Sequence, residues 1–342
     1  MKDVKKNLTM IFCVGPLLVL GDLAKMEVVV VDDDTGLPMT NVTVKGTFPI
    51  NNGWSAFKGA ARPNTDVQNT NAKGWCRLSG ETNKKVAWCE VENPPSGYYG
   101  GCGCAFRYAK SMWGVLQPDN QIGTVRVARV HHAIPLYVKY VGDRGTDCCD
   151  VDLFSKSGGT LRMDLFKGDW LPPAGTGEVA DIEFVRMQRE HLGEERSEIT
   201  GDMIPCWREG MKIRFLGEGN GWVEVKPTEC PVAIRKSPDS GFVQEYPDAL
   251  IDKRSRGASL SKVGEKYICF RIRTSIDAAG NVVAGYYGKI YGDIFFKHKI
   301  GWDPVVAMPE MLYYLNPNPL DRNLEWDGEK NLFGGKRIHA PR

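Results

Sequence analysis

Residues 26–48 read Met-Glu-Val-Val-Val-Val-Asp-Asp-Asp-Thr-Gly-Leu-Pro-Met-Thr-Asn-Val-Thr-Val-Lys-Gly-Thr-Phe. The four consecutive valines predict a β-strand, because β-branched side chains pack well on a pleated sheet. The Thr-Gly-Leu-Pro segment at residues 35–38 is typical of a turn. Apolar and polar residues then alternate over residues 41–48, which predicts a second strand. The stretch therefore predicts two neighbouring strands joined by a tight turn.

The same alternation of short strands and turns continues through the chain. The 342 residues include 38 Gly, 20 Pro and 12 Tyr, a composition that favours many short strands and tight turns. A chain of this length suits two domains better than one. We therefore predict an all-β protein of two β-sandwich-like domains, at residues 26–141 and 142–342.

Four local predictions follow from turn chemistry and charge. Residues 49–69 are polar and Gly-rich, and predict a long loop or a loop with one short strand. The charged run at residues 186–198 predicts a solvated loop or a short helix. The glycines at residues 217–221 separate two strand-like runs and predict a β-hairpin. Residues 267–274 and 282–287 predict a further pair of strands.

The first 21 residues are typical of a secretory signal. Three lysines within the first six residues precede an apolar run at residues 8–20. Cleavage is expected after Gly21, with Ala24 as the weaker position. The alternative is an uncleaved membrane anchor, but the run is interrupted by Gly15-Pro16 and is shorter than the about 20 residues that span a bilayer. We therefore predict an exported chain, periplasmic or extracellular at the cell surface, with no transmembrane span after cleavage.

The net charge of the chain indicates whether a nucleic acid is an expected partner. The formal net charge is +2, and residues 1–21 contribute +2 through three lysines and one aspartate, so the remainder carries a net charge of 0. No basic stripe remains to contact phosphates, so a nucleic-acid partner is not expected.

Ten cysteines in an exported chain suggest disulfides. Cys13 is removed with the signal, so at least one of the remaining nine has no partner within the chain. The best candidate pair is Cys76 and Cys89, which lie in two strand-like stretches joined by a polar loop. The alternative is two separate buried thiols.

The sequence contains none of the familiar catalytic motifs. Neither Gly-x-Ser-x-Gly nor His-Glu-x-x-His occurs. Cys102-Gly-Cys104 and Cys148-Cys149 are spaced more tightly than zinc ligands usually are. His131-His132 is expected at a strand end or on the surface. Asp32-Asp33-Asp34 is expected to form a solvated acidic turn, with calcium binding as the alternative. We therefore predict no catalytic residue, no cofactor and no metal.

Tryptophans are the residues best suited to bind a ligand, because a flat indole face stacks on the C–H groups of a sugar ring. Trp170 follows Gly168-Asp169 in a Pro/Gly loop, and Trp222 follows the glycine cluster at residues 217–221. The alternative is that these side chains fill the two cores. Trp170 and Trp222 are therefore the candidate ligand-binding residues, with a glycan or another surface protein as the candidate partner.

Three motifs in the first half resemble a known family. They are Val-Asp-x-x-Thr-Gly-x-Pro at residues 31–38, Thr-Asn-Ala-Lys-Gly-x-Cys at 70–76 and Pro-Pro-Ser-Gly-Tyr-Tyr at 94–99. They are similar to motifs of the carboxypeptidase-regulatory-like, or transthyretin-like, β-sandwich, over residues 26–141. The chain departs from that pattern in the 49–69 insertion, the cysteines and residues 100–104. The resemblance implies a transthyretin-like or Ig-like sandwich that acts as a non-catalytic accessory module.

A second resemblance covers the other half. Residues 312–326 read Leu-Tyr-Tyr-Leu-Asn-Pro-Asn-Pro-Leu-Asp-Arg-Asn-Leu-Glu-Trp, and Gly-Asp-Trp at 168–170 precedes a Pro/Gly loop. Both features resemble a group of exported bacterial proteins of unknown function that carry a transthyretin-like domain. We therefore expect an exported, non-enzymatic β-sandwich protein that acts in cell-surface or periplasmic binding or assembly. The alternative is a glycan-binding module or a glycan-processing enzyme.

Overall fold

The computed structural model describes residues 22–49, 64–82, 84–99, 102–109, 121–142, 158–188, 190–196, 201–225, 234–254, 257–260, 267–298 and 307–334. Every helix or strand assigned in these ranges is a β-strand, which confirms the predicted all-β fold class. The chain divides into two compact units, residues 1–129 and 130–342. The predicted signal at residues 1–21 and the Cys148-Cys149 pair lie outside the described residues.

The first unit folds as two facing sheets. Its strands, in the described residues, are β1 (Asp22–Asp32), β2 (Thr43–Phe48), β3 (Asn64–Asn69), β4 (Trp75–Thr82), β5 (Val86–Asn93), β6 (Gly103–Arg107) and β7 (Gln121–Val127). One sheet has the order β4-β1-β7, and the other has the order β3-β2-β5-β6. Strand β1 pairs antiparallel with β4 and parallel with β7. The short strand expected within residues 49–69 is β3.

The core of the first unit lies between these sheets. Ala24, Met26, Val28 and Val30 alternate along β1 and are each 0% exposed, as expected for one face of a strand. Gly80 on β4 lies directly under the ring of Phe48 on β2, so the two sheets meet at this point. A glycine is needed there, since a Cβ atom at position 80 would overlap that ring.

The second unit is a larger sandwich. Its strands, in the described residues, are β8 (Ile134–Val141), β9 (Thr160–Asp164), β10 (Asp169–Trp170), β11 (Ile182–Arg186), β12 (Glu190–Arg196), β13 (Met203–Phe215), β14 (Gly221–Val225), β15 (Glu245–Arg254), β16 (Gly257–Leu260), β17 (Tyr267–Ile276), β18 (Val282–His298), β19 (Ala307–Leu315) and β20 (Trp326–Asn331). One sheet has the order β10-β9-β11-β13-β15-β16, with β12 also paired to β13. The other sheet has the order β14-β17-β18-β19-β8-β20.

Aromatic and aliphatic side chains from both sheets form one core in the second unit. Phe184 and Phe215 come from the first of these sheets, and Phe270 and Tyr313 come from the second. All four are 0% exposed, and the rings of Phe215 and Phe270 stack with their centroids 5.9 Å apart. This shared core confirms the prediction of two sandwich-like domains.

Strand β8 belongs to the second unit. It pairs antiparallel with β19 and parallel with β20. The sequence motifs predict instead that residues 134–141 form the end of the first domain. The difference arises because β8 has a strongly apolar strand pattern that fits either sandwich. Its pairing with β19, about 170 residues later in the sequence, places β8 in the second sandwich.

Two local predictions in the second unit are wrong. The strands around residues 217–221 do not form a hairpin, because β13 and β14 lie in different sheets and the glycine cluster carries the chain from one to the other. Most of the charged run at residues 186–198 is the strand β12, which pairs with β13 instead of forming a loop or a helix. Cross-strand contacts stabilise β12, including His191 against Trp207 with ring centroids 4.6 Å apart.

The predicted pair of strands at residues 267–274 and 282–287 is confirmed. Strands β17 and β18 are antiparallel neighbours joined by the turn that follows Ile276. Among the described residues, no helix is both long enough and apolar enough to span a membrane.

Candidate functional site

An exposed aromatic side chain lies on the outer face of the four-stranded sheet of the first unit. Along β5, Ala87 and Cys89 point into the core and are 0% and 2% exposed, so Trp88 between them points outward. Trp88 is 40% exposed. It lies opposite Thr47 on β2 and Ala105 on β6.

Small and apolar side chains surround this indole. We name the surface the Trp88 face, and its members are Thr47, Thr65, Val67, Val86, Trp88 and Ala105. Val86 lies two residues before Trp88 on the same face of β5 and is 38% exposed, and Val67 lies on β3 at the far side of β2 and is 47% exposed. Thr65 lies opposite Thr47 on β3, one strand further from the indole, and Thr47 itself is only 6% exposed. The arrangement offers an apolar platform centred on Trp88 and Val86.

Charged side chains border the platform. Lys45 lies opposite both Val67 and Glu90, and its ammonium group is 3.2 Å from the carboxylate of Glu92. Arg107 lies opposite Val86 at the other end of the face. An apolar centre with a polar rim is the usual anatomy of a binding surface.

The two tryptophans predicted to bind a ligand lie elsewhere and contact the core. Trp222 is 7% exposed, its indole N–H donates to the carbonyl of Glu245 at 2.8 Å, and its ring contacts Tyr246 at 4.5 Å. Trp170 is half-buried and packs edge-on against Phe184 at 5.8 Å. A sugar ring needs an open indole face, so the structure supports the core-filling alternative for Trp222 and leaves Trp170 only partly accessible.

The cysteine pair predicted to form a disulfide is not bonded in the structure. Cys76 and Cys89 are both free thiols that face the core from opposite sheets, on β4 and β5. The sulfur atom of Cys89 instead lies 3.5 Å from the sulfur of Cys104, its cross-strand neighbour on β6. Burial, with a smaller effect of Asp66, raises the pKa of Cys76 to about 11. The contact with Cys104 and burial together raise the pKa of Cys89 well above its usual range.

The acidic turn that ends β1 is a structural network. Asp32 is 4% exposed and accepts hydrogen bonds from Tyr98 at 2.6 Å and Arg129 at 2.8 Å. Its other oxygen accepts the backbone N–H groups of Asp34 and Thr35, both at 2.9 Å. Burial alone raises the pKa of Asp32, but these hydrogen bonds outweigh it and hold the pKa well below its usual range. Its oxygens are therefore occupied, which disfavours calcium binding through Asp32.

A second buried network lies between the sheets of the second unit. Arg273 on β17 donates to Asp164 at 2.6 Å and to Asp181 at 2.9 Å. Both carboxylates are 1% exposed, and Asp164 also accepts four backbone N–H groups, from Phe166, Lys167, Glu178 and Val179.

The two carboxylates differ in pKa. Burial raises the pKa of Asp164, but backbone N–H donors and Arg273 outweigh it and lower the pKa overall. At Asp181 burial is the larger effect, and the pKa is raised although Arg273 opposes it. Each group has internal partners, so the network holds the two sheets together.

The adjacent histidines lie in a bend ahead of β8. Their backbone N–H groups donate to the buried carboxylate of Glu325, from His131 at 2.8 Å and from His132 at 2.5 Å. Within the part of the chain that the structure describes, no group of three or more His, Cys, Asp or Glu side chains is placed to hold a metal ion.

The outward position of Trp88 has a signal in the sequence, although no motif marks this residue. In the run Val-Ala-Trp-Cys-Glu-Val at residues 86–91, the small and apolar residues at alternate positions 87, 89 and 91 predict one buried face. The same alternation places Trp88 on the opposite, outer face.

Comparisons with known proteins give no family. No family model matches the chain, and no curated protein matches its sequence. Among solved structures, a DUF3823 family protein from Parabacteroides merdae is 6% identical, covers 85% of this chain and 96% of its own, and has a TM-score of 0.21. The shaft pilin SpaA from Lactobacillus rhamnosus GG is 12% identical over 78% of this chain and 92% of its own, with a TM-score of 0.21. The C-terminal domain of the same pilin is 15% identical over 31% of this chain and 98% of its own, with a TM-score of 0.22.

TM-scores and identities this low do not establish a shared fold or a shared function. The resemblance of residues 26–141 to the carboxypeptidase-regulatory-like family therefore stays a prediction from the sequence motifs.

Proposed function

We propose that the chain is an exported, non-enzymatic β-sandwich protein that binds or assembles at the cell surface or in the periplasm, and that it makes contact through the Trp88 face. The observation that carries the proposal is the 40% exposure of Trp88 on the outer sheet face, beside Val86, which is 38% exposed on the same face of β5. Contiguous exposed apolar surface is uncommon on soluble proteins and is typical of interaction sites. Tryptophan is also enriched among the residues that dominate binding energy.

The buried ionisable groups support a non-enzymatic role. Asp32, Asp164 and Asp181 each accept several hydrogen bonds from nearby groups, so their charges serve the fold. A catalytic carboxylate needs a free oxygen directed at a substrate.

The pairing of β1 with β4 favours cleavage of the signal after Gly21 over cleavage after Ala24. Asp22, Leu23 and Ala24 pair with Thr82, Glu81 and Gly80 on β4, and Ala24 is 0% exposed. Cleavage after Gly21 preserves these pairs, whereas cleavage after Ala24 removes them. We expect N-terminal sequencing of the protein recovered from the periplasm or the medium to begin at Asp22, and a start at Met1 would contradict export by a cleaved signal.

Site-specific photocrosslinking tests the binding surface. A photoreactive phenylalanine at position 88 is expected to give a defined crosslinked product in the cell envelope of the native host. The matched control is position 122, because Ile122 is 69% exposed on the other sheet of the same unit. Equal product patterns at the two positions, or no product at position 88, would contradict the assignment of the Trp88 face.

A glycan ligand is the second candidate. It is favoured by the 40% exposure of the Trp88 indole, since a sugar ring stacks on an open aromatic face. Titration of the full mature chain with a panel of soluble polysaccharides is expected to shift tryptophan fluorescence in the wild type and in Ile122→Ala, but not in Trp88→Ala. If no polysaccharide shifts the fluorescence, the glycan candidate fails, while crosslinking at position 88 still tests a protein partner.

A further inference from the structure

We propose that Cys89 and Cys104 form a disulfide in the exported protein, and that this cross-link fastens the edge strand β6 to the strand that carries Trp88. The starting observation is the contact between the two sulfur atoms, which lie 3.5 Å apart. The residues are also direct cross-strand partners in the antiparallel pair β5–β6. The proposal replaces the Cys76–Cys89 pairing that the sequence suggested.

The backbone spacing fits a disulfide. Val91 donates its N–H to the carbonyl of Cys102 at 2.9 Å, and Cys89–Cys104 is the next equivalent pair along the ladder. Directly opposed residues of this kind have Cα atoms about 5.5 Å apart. Disulfides span Cα separations of roughly 4.4–6.8 Å, so the spacing of the two backbones lies within the range that the bond needs.

The core around Cys104 is shaped to accept its side chain. Gly123 on β7 faces it, and a Cβ atom at position 123 would lie 2.8 Å from the sulfur of Cys104 and 2.6 Å from the ring of Phe106. The glycine thus leaves room for the sulfur between the two sheets. Cys76, in contrast, lies on β4 in the opposite sheet, and the chain provides no such register between it and Cys89.

A small external disulfide serves as the oxidant that forms the Cys89–Cys104 bond. Cys104 is the more exposed of the two thiols, so its thiolate attacks an external disulfide such as oxidised glutathione, forms a mixed disulfide and releases one thiolate. The thiolate of Cys89 then attacks the sulfur of Cys104, forms the Cys89–Cys104 bond and releases the second thiolate. Two protein thiols are oxidised, one external disulfide is reduced to two thiols, and the two protons pass to the released thiolates.

The cross-link matters for the Trp88 face because of where β6 lies in the sheet. Among the strands that the structure describes, β6 is the end strand of the four-stranded sheet and pairs with β5 alone. Ala105, the next residue after Cys104, lies beside Trp88 on the outer face. The disulfide therefore holds the border of the Trp88 face in place, whatever ligand that face binds.

Peptide mapping of the full mature chain tests the pairing directly. The protein is equilibrated in a glutathione redox buffer, free thiols are alkylated, and the chain is cut with trypsin and glutamyl endopeptidase without reduction. Cleavage after Lys85, Glu90, Glu92 and Arg107 separates residues 86–90 from 93–107. We expect these two peptides to be joined, with the bond at Cys104 and an alkylated Cys102 in the fragment spectrum.

Other outcomes overturn the proposal. A link between residues 74–77 and 86–90 would restore the Cys76–Cys89 pairing, a bond at Cys102 would give a different partner, and complete alkylation in oxidising buffer would show that no disulfide forms. Since this map uses the wild-type chain, it does not depend on whether a variant folds.

Thermal unfolding provides a second readout. Oxidised wild type is expected to melt higher than reduced wild type, by roughly 12–24 °C for a closed loop of about 15 residues in a domain of about 100 residues. The increase is expected to shrink in Cys104→Ser and to remain in the control Cys102→Ser. An unchanged increase in Cys104→Ser would contradict the proposal, and neither result depends on whether the Trp88 face binds a ligand.

Discussion

The Nη2 atom of Arg273 lies 2.6 Å from Oδ1 of Asp164, although the two residues belong to opposite sheets of the second unit. Arg273 adopts a φ of 51°, in the left-handed region that side chains other than glycine rarely occupy. The same guanidinium contacts Asp181 at 2.9 Å and lies over the ring of Phe166 at 4.6 Å. These contacts hold the unfavourable backbone conformation and place the single positive charge of the guanidinium between two carboxylates of the core.

Replacement of Arg273 tests this network. Arg273→Met is expected to lower the free energy of unfolding by about 3–5 kcal/mol, because it leaves Asp164 and Asp181 buried without a counter-charge. The control is Arg162→Met, which breaks an ion pair with Glu183 at 2.7 Å whose arginine is 53% exposed. An exposed pair contributes little, so the control is expected to cost no more than about 1 kcal/mol. Equal losses in urea unfolding would contradict a structural role for the buried network.

Parts of the fold were predictable because they depend on neighbouring residues. The alternation around Met26–Asp32 and the turn after Ile276 are local signals, and the strands they predict are present. The proposed hairpin failed because turn chemistry does not determine which sheet receives the next strand. Trp222 exchanges backbone hydrogen bonds with Val243, at 2.9 and 3.0 Å, and β14 then pairs with β17.

In the candidate site, too, local features follow from the sequence and contacts between distant residues do not. The outward direction of Trp88 follows from the alternation of its neighbours, so the sequence contained that information. The burial of Trp222 depends on Glu245 and Tyr246, more than 20 residues later, and no local pattern specifies that contact. The proximity of Cys89 to Cys104 depends on the register of β5 against β6, which are separated in the sequence by residues 94–102.

The Asp32 network is expected to contribute stability in a pH-dependent way. Because the pKa of Asp32 is lower in the folded chain than in the unfolded one, its contribution is fully present above the unfolded pKa of about 4 and is lost as the pH falls through the folded value. Asp32→Asn is expected to cost about 1 kcal/mol at pH 7, since the network remains in contact with solvent. The difference from wild type is expected to narrow as the pH falls below 4.

Urea unfolding at pH 7 and at pH 3 measures that difference. The control is Asp33→Asn, because Asp33 is the next carboxylate along the turn and its ion pair with Arg126 is exposed and 4.0 Å long. It is expected to change stability by less than about 0.5 kcal/mol at either pH. A cost for Asp32→Asn that does not vary with pH would contradict the proposed origin of its stabilising effect.

The contact between Gly80 and Phe48 predicts a coupled pair of substitutions. Gly80→Ala is expected to destabilise the first unit by about 1–3 kcal/mol, because the new methyl group overlaps the Phe48 ring in a packed core. In a Phe48→Leu background the cost of Gly80→Ala is expected to be smaller, since the ring atoms that cause the overlap are gone. Unfolding measurements on the two single variants and the double variant give the coupling energy, and additive costs would contradict the contact.

Trp88 and Trp222 provide the final comparison, between an exposed and a buried tryptophan. Trp222→Ala is expected to destabilise the second unit by about 3–5 kcal/mol, because it removes a 7% exposed ring from the core together with its hydrogen bond to Glu245. Trp88→Ala is expected to change stability by no more than about 1 kcal/mol. Acrylamide quenching is expected to show the opposite order, since the quencher reaches the exposed indole first. If Trp222→Ala removed more of the quenchable fluorescence than Trp88→Ala, the outward placement of Trp88 and its role as a contact surface would both be wrong.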